Sequence, residues 1–85
     1  MKYELVYTLR AERDIQKLDT QIKARIGKTL QRYREAPLDF AERLTDPIIG
    51  SYRFRIGDYR VIFDIEGRDI VVLRVGHRRD IYKRK

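Results

Sequence analysis

Cysteine is absent from this 85-residue chain, which excludes disulfides and thiolate metal sites. Histidine occurs once, at His77, so a multi-histidine metal centre is excluded as well, and no metal or other cofactor is expected. No apolar run approaches the ~20 residues of a membrane-spanning helix, and the N-terminus lacks the apolar core of a signal peptide. The expected location is therefore the cytoplasm, with no membrane partner. Acidic residues are the scarcer charge, with 13 Asp/Glu against 20 Lys/Arg and a net charge of +7. The length suits one domain, and a domain this small is thin in core, so most of its apolar residues must be used.

The excess charge is uneven. Residues 1–50 hold 10 Lys/Arg against 8 Asp/Glu, whereas residues 51–85 hold 10 against 5. A basic half of this kind is the electrostatic footprint of a polyanion partner, although a merely soluble basic protein would share it.

That basic half opens with the stretch that organises the chain, Ser51-Tyr-Arg-Phe-Arg-Ile-Gly-Asp-Tyr-Arg-Val-Ile-Phe63. Two alternating runs flank Gly57-Asp58, and a Gly-first pair is the signature of a two-residue type II′ hairpin turn. Ile56 should then oppose Tyr59, Arg55 oppose Arg60, and Phe54 oppose Val61. Side chains alternate faces along a strand, placing Tyr52, Phe54, Ile56, Tyr59, Val61 and Phe63 on one face and Arg53, Arg55 and Arg60 on the other. Arginines directly across a ladder repel. No acidic residue is expected beside them until Asp64, so the cluster reads as a seat for an anion such as a nucleic-acid phosphate.

The remaining elements follow in order. Residues 2–7 read as a first strand with Tyr3, Leu5 and Tyr7 on one side. Thr8 is a candidate N-cap for a helix over about residues 9–18, with Ala11, Ile15 and Leu18 at helical spacing. Asp19 or Thr20 caps a second helix whose stripe is Ile22, Ile26, Leu30 and Tyr33 and which Pro37 stops. Its Gly27 costs about 1 kcal/mol against Ala. Arg10, Arg13, Lys17, Lys23, Arg25, Lys28 and Arg32 form polar faces that are either simply solvated or a second contact surface for nucleic acid. Residues 38–50 are a connector in which Phe40 and Leu44 anchor a turn, with Asp46-Pro47 and Gly50 marking loop. After the hairpin, Glu66-Gly67-Arg68-Asp69 is a turn. Ile70–His77 is a third long strand, with Val71, Leu73, Val75 and His77 on one face and Arg74 and Gly76 on the other. The basic segment 78–85 ends the chain. The fold expected is α+β: an antiparallel sheet of about four strands in the order β-α-α-β-β-β, a two-helix hairpin packed on one face, and an open basic face opposite bearing Arg53, Arg55, Arg60 and Arg74.

Tyr52-Arg-Phe-Arg-Ile-Gly-Asp-Tyr-Arg-Val-Ile-Phe63, followed by Val75-Gly-His-Arg-Arg-Asp-Ile-Tyr82, closely resembles the RelE/ParE toxin superfamily of bacterial and archaeal toxin–antitoxin pairs. The element order matches too, and the resemblance covers essentially residues 1–85 as a single RelE-like toxin domain. It implies a toxin paired with a cognate antitoxin. The ending Gly76–Tyr82 looks like the RelE branch, whose members cut mRNA in the ribosomal A site, without a metal, through attack of the 2′-hydroxyl on the adjacent phosphate. The alternatives are a ParE-type inhibitor of DNA gyrase and an inactive homologue that only binds its antitoxin.

By the same resemblance, Arg53 and Arg55 stand where some RelE enzymes carry two lysines. Arg60 matches an arginine that binds the scissile phosphate. Arg78 matches one that protonates the leaving group or stabilises its charge, and Tyr82 matches a tyrosine that stacks on a base of the message. Arg74 and Arg79 are further candidates for phosphate contact. A lysine with a depressed pKa can act as a base, but arginine keeps its proton, so the proton must move elsewhere. His77 and Tyr82 are the candidates. His77 alone has an unperturbed pKa near neutrality, but alternation points it toward the core, so it is either a structural partner for the C-terminal segment or a catalytic or site-orienting group. Tyr82 either lies at a rim where it can stack on a base or packs the tail onto the sheet.

Overall fold

A computed structural model describes residues 2–46 and 48–82. Pro47 of the loop signal and the basic residues Lys83, Arg84 and Lys85 lie outside the described residues. The elements are β1 (Glu4–Tyr7), α1 (Leu9–Gln16), α2 (Thr20–Tyr33), α3 (Pro37–Phe40), β2 (Glu42–Arg43), β3 (Tyr52–Ile56), β4 (Tyr59–Glu66) and β5 (Asp69–His77). The five strands form one sheet in the order β1-β5-β4-β3-β2. Only β1 runs parallel to its neighbour, β5. The sheet thus has five strands rather than four, and the extra one lies inside the stretch expected to be a connector. No helix among the described residues is long and apolar enough to cross a membrane.

Local chemistry explains where the helices begin and end. The Thr8 hydroxyl accepts the Ala11 N–H at 3.1 Å and donates to the Leu73 carbonyl at 3.2 Å, so one side chain caps α1 and fastens it to β5. The second helix ends at Tyr33 rather than being halted by Pro37. Instead, Pro37 sits in the first turn of α3, where its missing N–H costs nothing. Phe40 then stacks on Tyr33, ring centroids 4.2 Å apart.

The helices cover one face of the sheet. Ala11, Ile26 and Leu30 pack against Phe54, Ile56, Val61, Phe63, Ile70, Val72 and Val75. The hairpin pairs as expected, Arg55 opposite Arg60 and Ile56 opposite Tyr59. Gly57 at φ +61° is followed by a residue of ordinary φ, as a type II′ turn requires. Gly67 at φ +60° starts a second turn of this kind.

Strict alternation along β5 fails. Val61 pairs with Val75 and Ile62 with Arg74, but Phe63 pairs with Val72, so the register slips between Ile62 and Phe63 and Leu73 is the inserted residue. A β-bulge of this kind reverses parity. Ile70 and Val72 join the core before it and Val75 after it, while Val71 and Leu73 do not share the face of Val75. Tyr7, at the end of β1, is 37% exposed.

The face opposite the helices is also less open than expected. Ile62 is fully buried there and Ile81 is 3% exposed. The tail folds back through hydrogen bonds from Asp80 N–H and Ile81 N–H to the His77 carbonyl. It lays Ile81 against Gly76, where an added Cβ would stand 3.2 Å from the Ile81 Cδ1. At Gly50 an added Cβ would lie 2.6 Å from Ile62, so this residue lets its loop lie close over the same face.

Candidate nucleic-acid interface

The register places Arg53 and Arg55 on the helix-free side of β3, two residues apart on one face. Arg55 is exposed and Arg53 is half-buried. Their surroundings differ from the expectation of an acid-free face. Strand β2 pairs Glu42 with Arg53, and the Glu42 carboxylate bridges both arginines. Its Oε1 lies 2.9 Å from Arg53 Nε and its Oε2 3.6 Å from Arg55 Nη1. Hydrogen bonding from Arg53, reinforced by the charge of both arginines, holds the Glu42 carboxyl below its usual range. A two-residue strand is too short to show a period in sequence.

The tail contributes the aromatic. Arg53 Nη1 donates to the Tyr82 hydroxyl at 2.7 Å. That hydrogen bond, with Glu42 behind it, raises the Arg53 guanidinium above its ordinary value. Glu42, Arg53 and Tyr82 therefore form a continuous chain from the edge strand to the tail, with Arg55 joined through Glu42.

Arg60 lies deeper than alternation suggests. It is only 5% exposed, and its Nη1 donates to the carbonyls of Gly57 at 3.0 Å and Tyr59 at 2.9 Å. Its cross-strand neighbour on the other side is Gly76, the residue over which Ile81 packs. Expected on an open face, it is buried there and braces the hairpin tip from beneath. Arg78 is at that same tip: its N–H donates to the Asp58 carbonyl at 2.8 Å, and its Nε lies 3.7 Å from Asp58 Oδ1. Asp64 accepts the Ser51 N–H at 2.8 Å, and so anchors the loop before β3.

Arg74 does not join the cluster. Asp14 of α1 takes its Nε at 2.8 Å and the Val75 N–H at 3.0 Å. The pairing of β1 with β5 ends at Tyr7 and Val72, so Asp14 satisfies the strand edge that β1 leaves behind. Arg79 is exposed. The His77 ring meets Tyr59 edge-on, centroids 5.4 Å apart, and its Nδ1 accepts the Arg79 N–H at 3.1 Å. With that lone pair occupied, a neutral imidazole carries its proton on Nε2.

The model of a protein family described as the ParE toxin of the type II toxin–antitoxin system parDE matches residues 5–82. Toxin RelG of Mycobacterium tuberculosis (strain ATCC 25618 / H37Rv) is 34% identical over 87 residues, covering 99% of this chain and all of that one. The toxin–antitoxin complex RelBE2 of the same species contains a chain that superposes with a TM-score of 0.82 at 29% identity, over 91% of this chain and 99% of that one. A chain of the intact Escherichia coli RelBE complex superposes with a TM-score of 0.73 over 88% and 95% of the two chains; at 22% identity this is a likeness of fold. The family match runs from β1 through the hairpin to Tyr82, and with a full-length relative above the level at which family is in doubt, the chain belongs to the RelE/ParE toxin superfamily of type II toxin–antitoxin systems.

Proposed function

We propose that this toxin is a ribosome-dependent endoribonuclease that cuts mRNA in the A site without a metal, and that a cognate antitoxin silences it. The observation that carries this reading is the Arg53–Tyr82 contact, which sets an aromatic ring beside a pair of guanidinium groups. A stacking ring and fixed cations side by side are what a base and its phosphate require.

In the proposed reaction the 2′-oxygen forms a bond to phosphorus and the bond from phosphorus to the 5′-oxygen breaks, leaving a 2′,3′-cyclic phosphate. The 2′-hydroxyl loses a proton and the 5′-oxygen gains one. Arginines relay neither proton. Their contribution is to stabilise charge on the phosphorane with bidentate donors already in place. Arg55 and Arg53 face the phosphate, and Arg78 stands at the tip beside the leaving oxygen. Arg60 holds the turn that displays them and adds its charge from below. Tyr82 stacks on a base, Arg79 lies on the exposed tail as a further phosphate contact, and Arg74, engaged by Asp14, is left out of the clamp. His77 orients the tail through Arg79 instead of taking a proton. Message and ribosome supply in-line geometry, which a shallow cationic face cannot impose alone. The toxin–antitoxin complexes among the similar solved structures support a cognate antitoxin for this chain.

The test is purified toxin on ribosomes programmed with a defined message, with RNA ends mapped. Cuts within the A-site codon that end in a cyclic phosphate are expected, with loss of cutting in Arg55→Gln and Tyr82→Ala. The matching family model is named for ParE, so a gyrase supercoiling assay runs beside it. Intact message together with blocked supercoiling overturns the nuclease reading in favour of gyrase inhibition.

A further inference from the structure

The geometry points to a seat for one RNA phosphodiester between Arg53 and Arg55, in which the Glu42 carboxylate is a built-in competitor that the ligand must displace. Both oxygens of Glu42 are used, one on each arginine, at 2.9 and 3.6 Å. The two non-bridging oxygens of a phosphodiester match that bridging pattern, since guanidinium donors recognise either anion in the same way. The pairs are open to solvent, with side-chain exposures of 29% for Arg53, 57% for Arg55 and 45% for Glu42. Glu42 is carried on an edge strand of only two residues, Glu42–Arg43, paired with Arg53 and Tyr52. Little packing is lost when such a strand shifts.

The seat is distinct from Arg60, which spends Nη1 donors on backbone carbonyls. It is contiguous with Tyr82 through Arg53 Nη1, so a phosphate taking Glu42's place lies next to the stacking ring. Glu42 is charged at neutral pH, as an ordinary glutamate is, and Arg53 first of all holds its carboxyl lower still. An internal anion of this kind weakens binding of free RNA and leaves the site to RNA delivered at high local concentration. The inference rests on the proposed function only in taking RNA as the source of the phosphate.

The test is fluorescence anisotropy of a labelled RNA oligonucleotide carrying 2′-O-methyl groups, which cannot be cut, across a salt series. Glu42→Gln is expected to bind about fivefold tighter at low salt, the worth of an exposed ion-pair arrangement released. Its log–log salt slope should steepen by about 0.7, one further phosphate neutralised on a single strand. Glu66→Gln makes the same change in net charge about 13 Å farther along β4 from Ile62, the residue paired with Arg53. At about 0.15 M salt, where the Debye length is about 8 Å, screening should hold its effect under about twofold, and the two variants are compared there. In the Glu42→Gln background, Arg53→Gln or Arg55→Gln should erase the gain. Glu42→Ala serves as the second variant should circular dichroism show Glu42→Gln unfolded. Binding by the Glu42 variants no tighter than by Glu66→Gln overturns the inference, as does failure of every variant to bind RNA. A toxin that binds as expected yet never cuts on ribosomes refutes the nuclease reading and leaves the phosphate seat standing.

Discussion

Replacing Arg60 with Thr separates two roles that alternation along the hairpin had merged. From strand parity, Arg55 and Arg60 are equivalent, both on the helix-free face and directly opposed. Loss of either should relieve a repulsion of a few tenths to about 1 kcal/mol. Burial breaks the equivalence. Arg60 is 5% exposed and donates to the Gly57 and Tyr59 carbonyls. Thr cannot reach either. Gly57 is exposed, so water can satisfy its carbonyl, but the half-buried Tyr59 carbonyl loses its partner at a cost of about 1–3 kcal/mol. Truncating the buried stem forfeits roughly one methylene, since Thr keeps a γ-methyl, at about 0.8 kcal/mol. After the relieved repulsion, Arg60→Thr should cost about 1–3 kcal/mol, or roughly 5–15 °C in Tm for a domain of this size. Arg55→Thr, on an exposed strand position, should stay within about 0.5 kcal/mol of the parent. Phe54→Ala, fully buried, sets the upper mark at about 3–5 kcal/mol. Urea and thermal unfolding of the three variants make the comparison. If Arg60→Thr unfolds alongside Arg55→Thr, Arg60 is not a brace and the account of the hairpin tip is wrong.

Three further outcomes follow from single contacts. Gly27 sits exposed inside α2 with nothing within 4 Å of an added Cβ; Gly27→Ala should therefore stabilise by about 1 kcal/mol, read as a rise in Tm. Asp14→Ala strands the Val75 N–H and Arg74 together and should cost about 2–3 kcal/mol in urea unfolding. Glu42 should titrate below the ordinary glutamate value of 4.5 by carbon NMR, and Arg53→Gln should move that midpoint up. Because its folded value is depressed, whatever Glu42 adds to stability is complete above 4.5 and is lost as pH falls through the depressed midpoint.

Features governed by near neighbours in the chain were legible in the sequence. The Gly57-Asp58 turn, the register of β3 and β4, the Thr8 cap and the stripe Ile22, Ile26, Leu30 and Tyr33 all depend on spacings of two to four residues. What escaped depends on distant residues. Strand β2 exists because Glu42 meets Arg53, eleven positions away, and its own two residues carry no period. The bulge at Leu73 hides because Ile70-Val71-Val72-Leu73 is apolar at every position, so a slip of one residue leaves no mismatch to detect.

Parity decides which face a side chain occupies, whereas exposure depends on what else lands on that face. Ile81, twenty-one positions after Arg60 in the sequence, folds over Gly76, the cross-strand neighbour of Arg60, and Arg60 is 5% exposed. Arg53 and Arg55 lie nearer the β2 edge, where the neighbour is an exposed carboxylate rather than an aliphatic side chain. A buried arginine must spend its donors on carbonyls, because burying an unpaired charge is prohibitive. An arginine beside a hydrated glutamate can exchange one anion for another at little cost, because both states are solvated and paired. The exchangeable cations of this sheet are therefore at its β2 edge and beside Tyr82, and the arginine at the centre of the hairpin holds them in place.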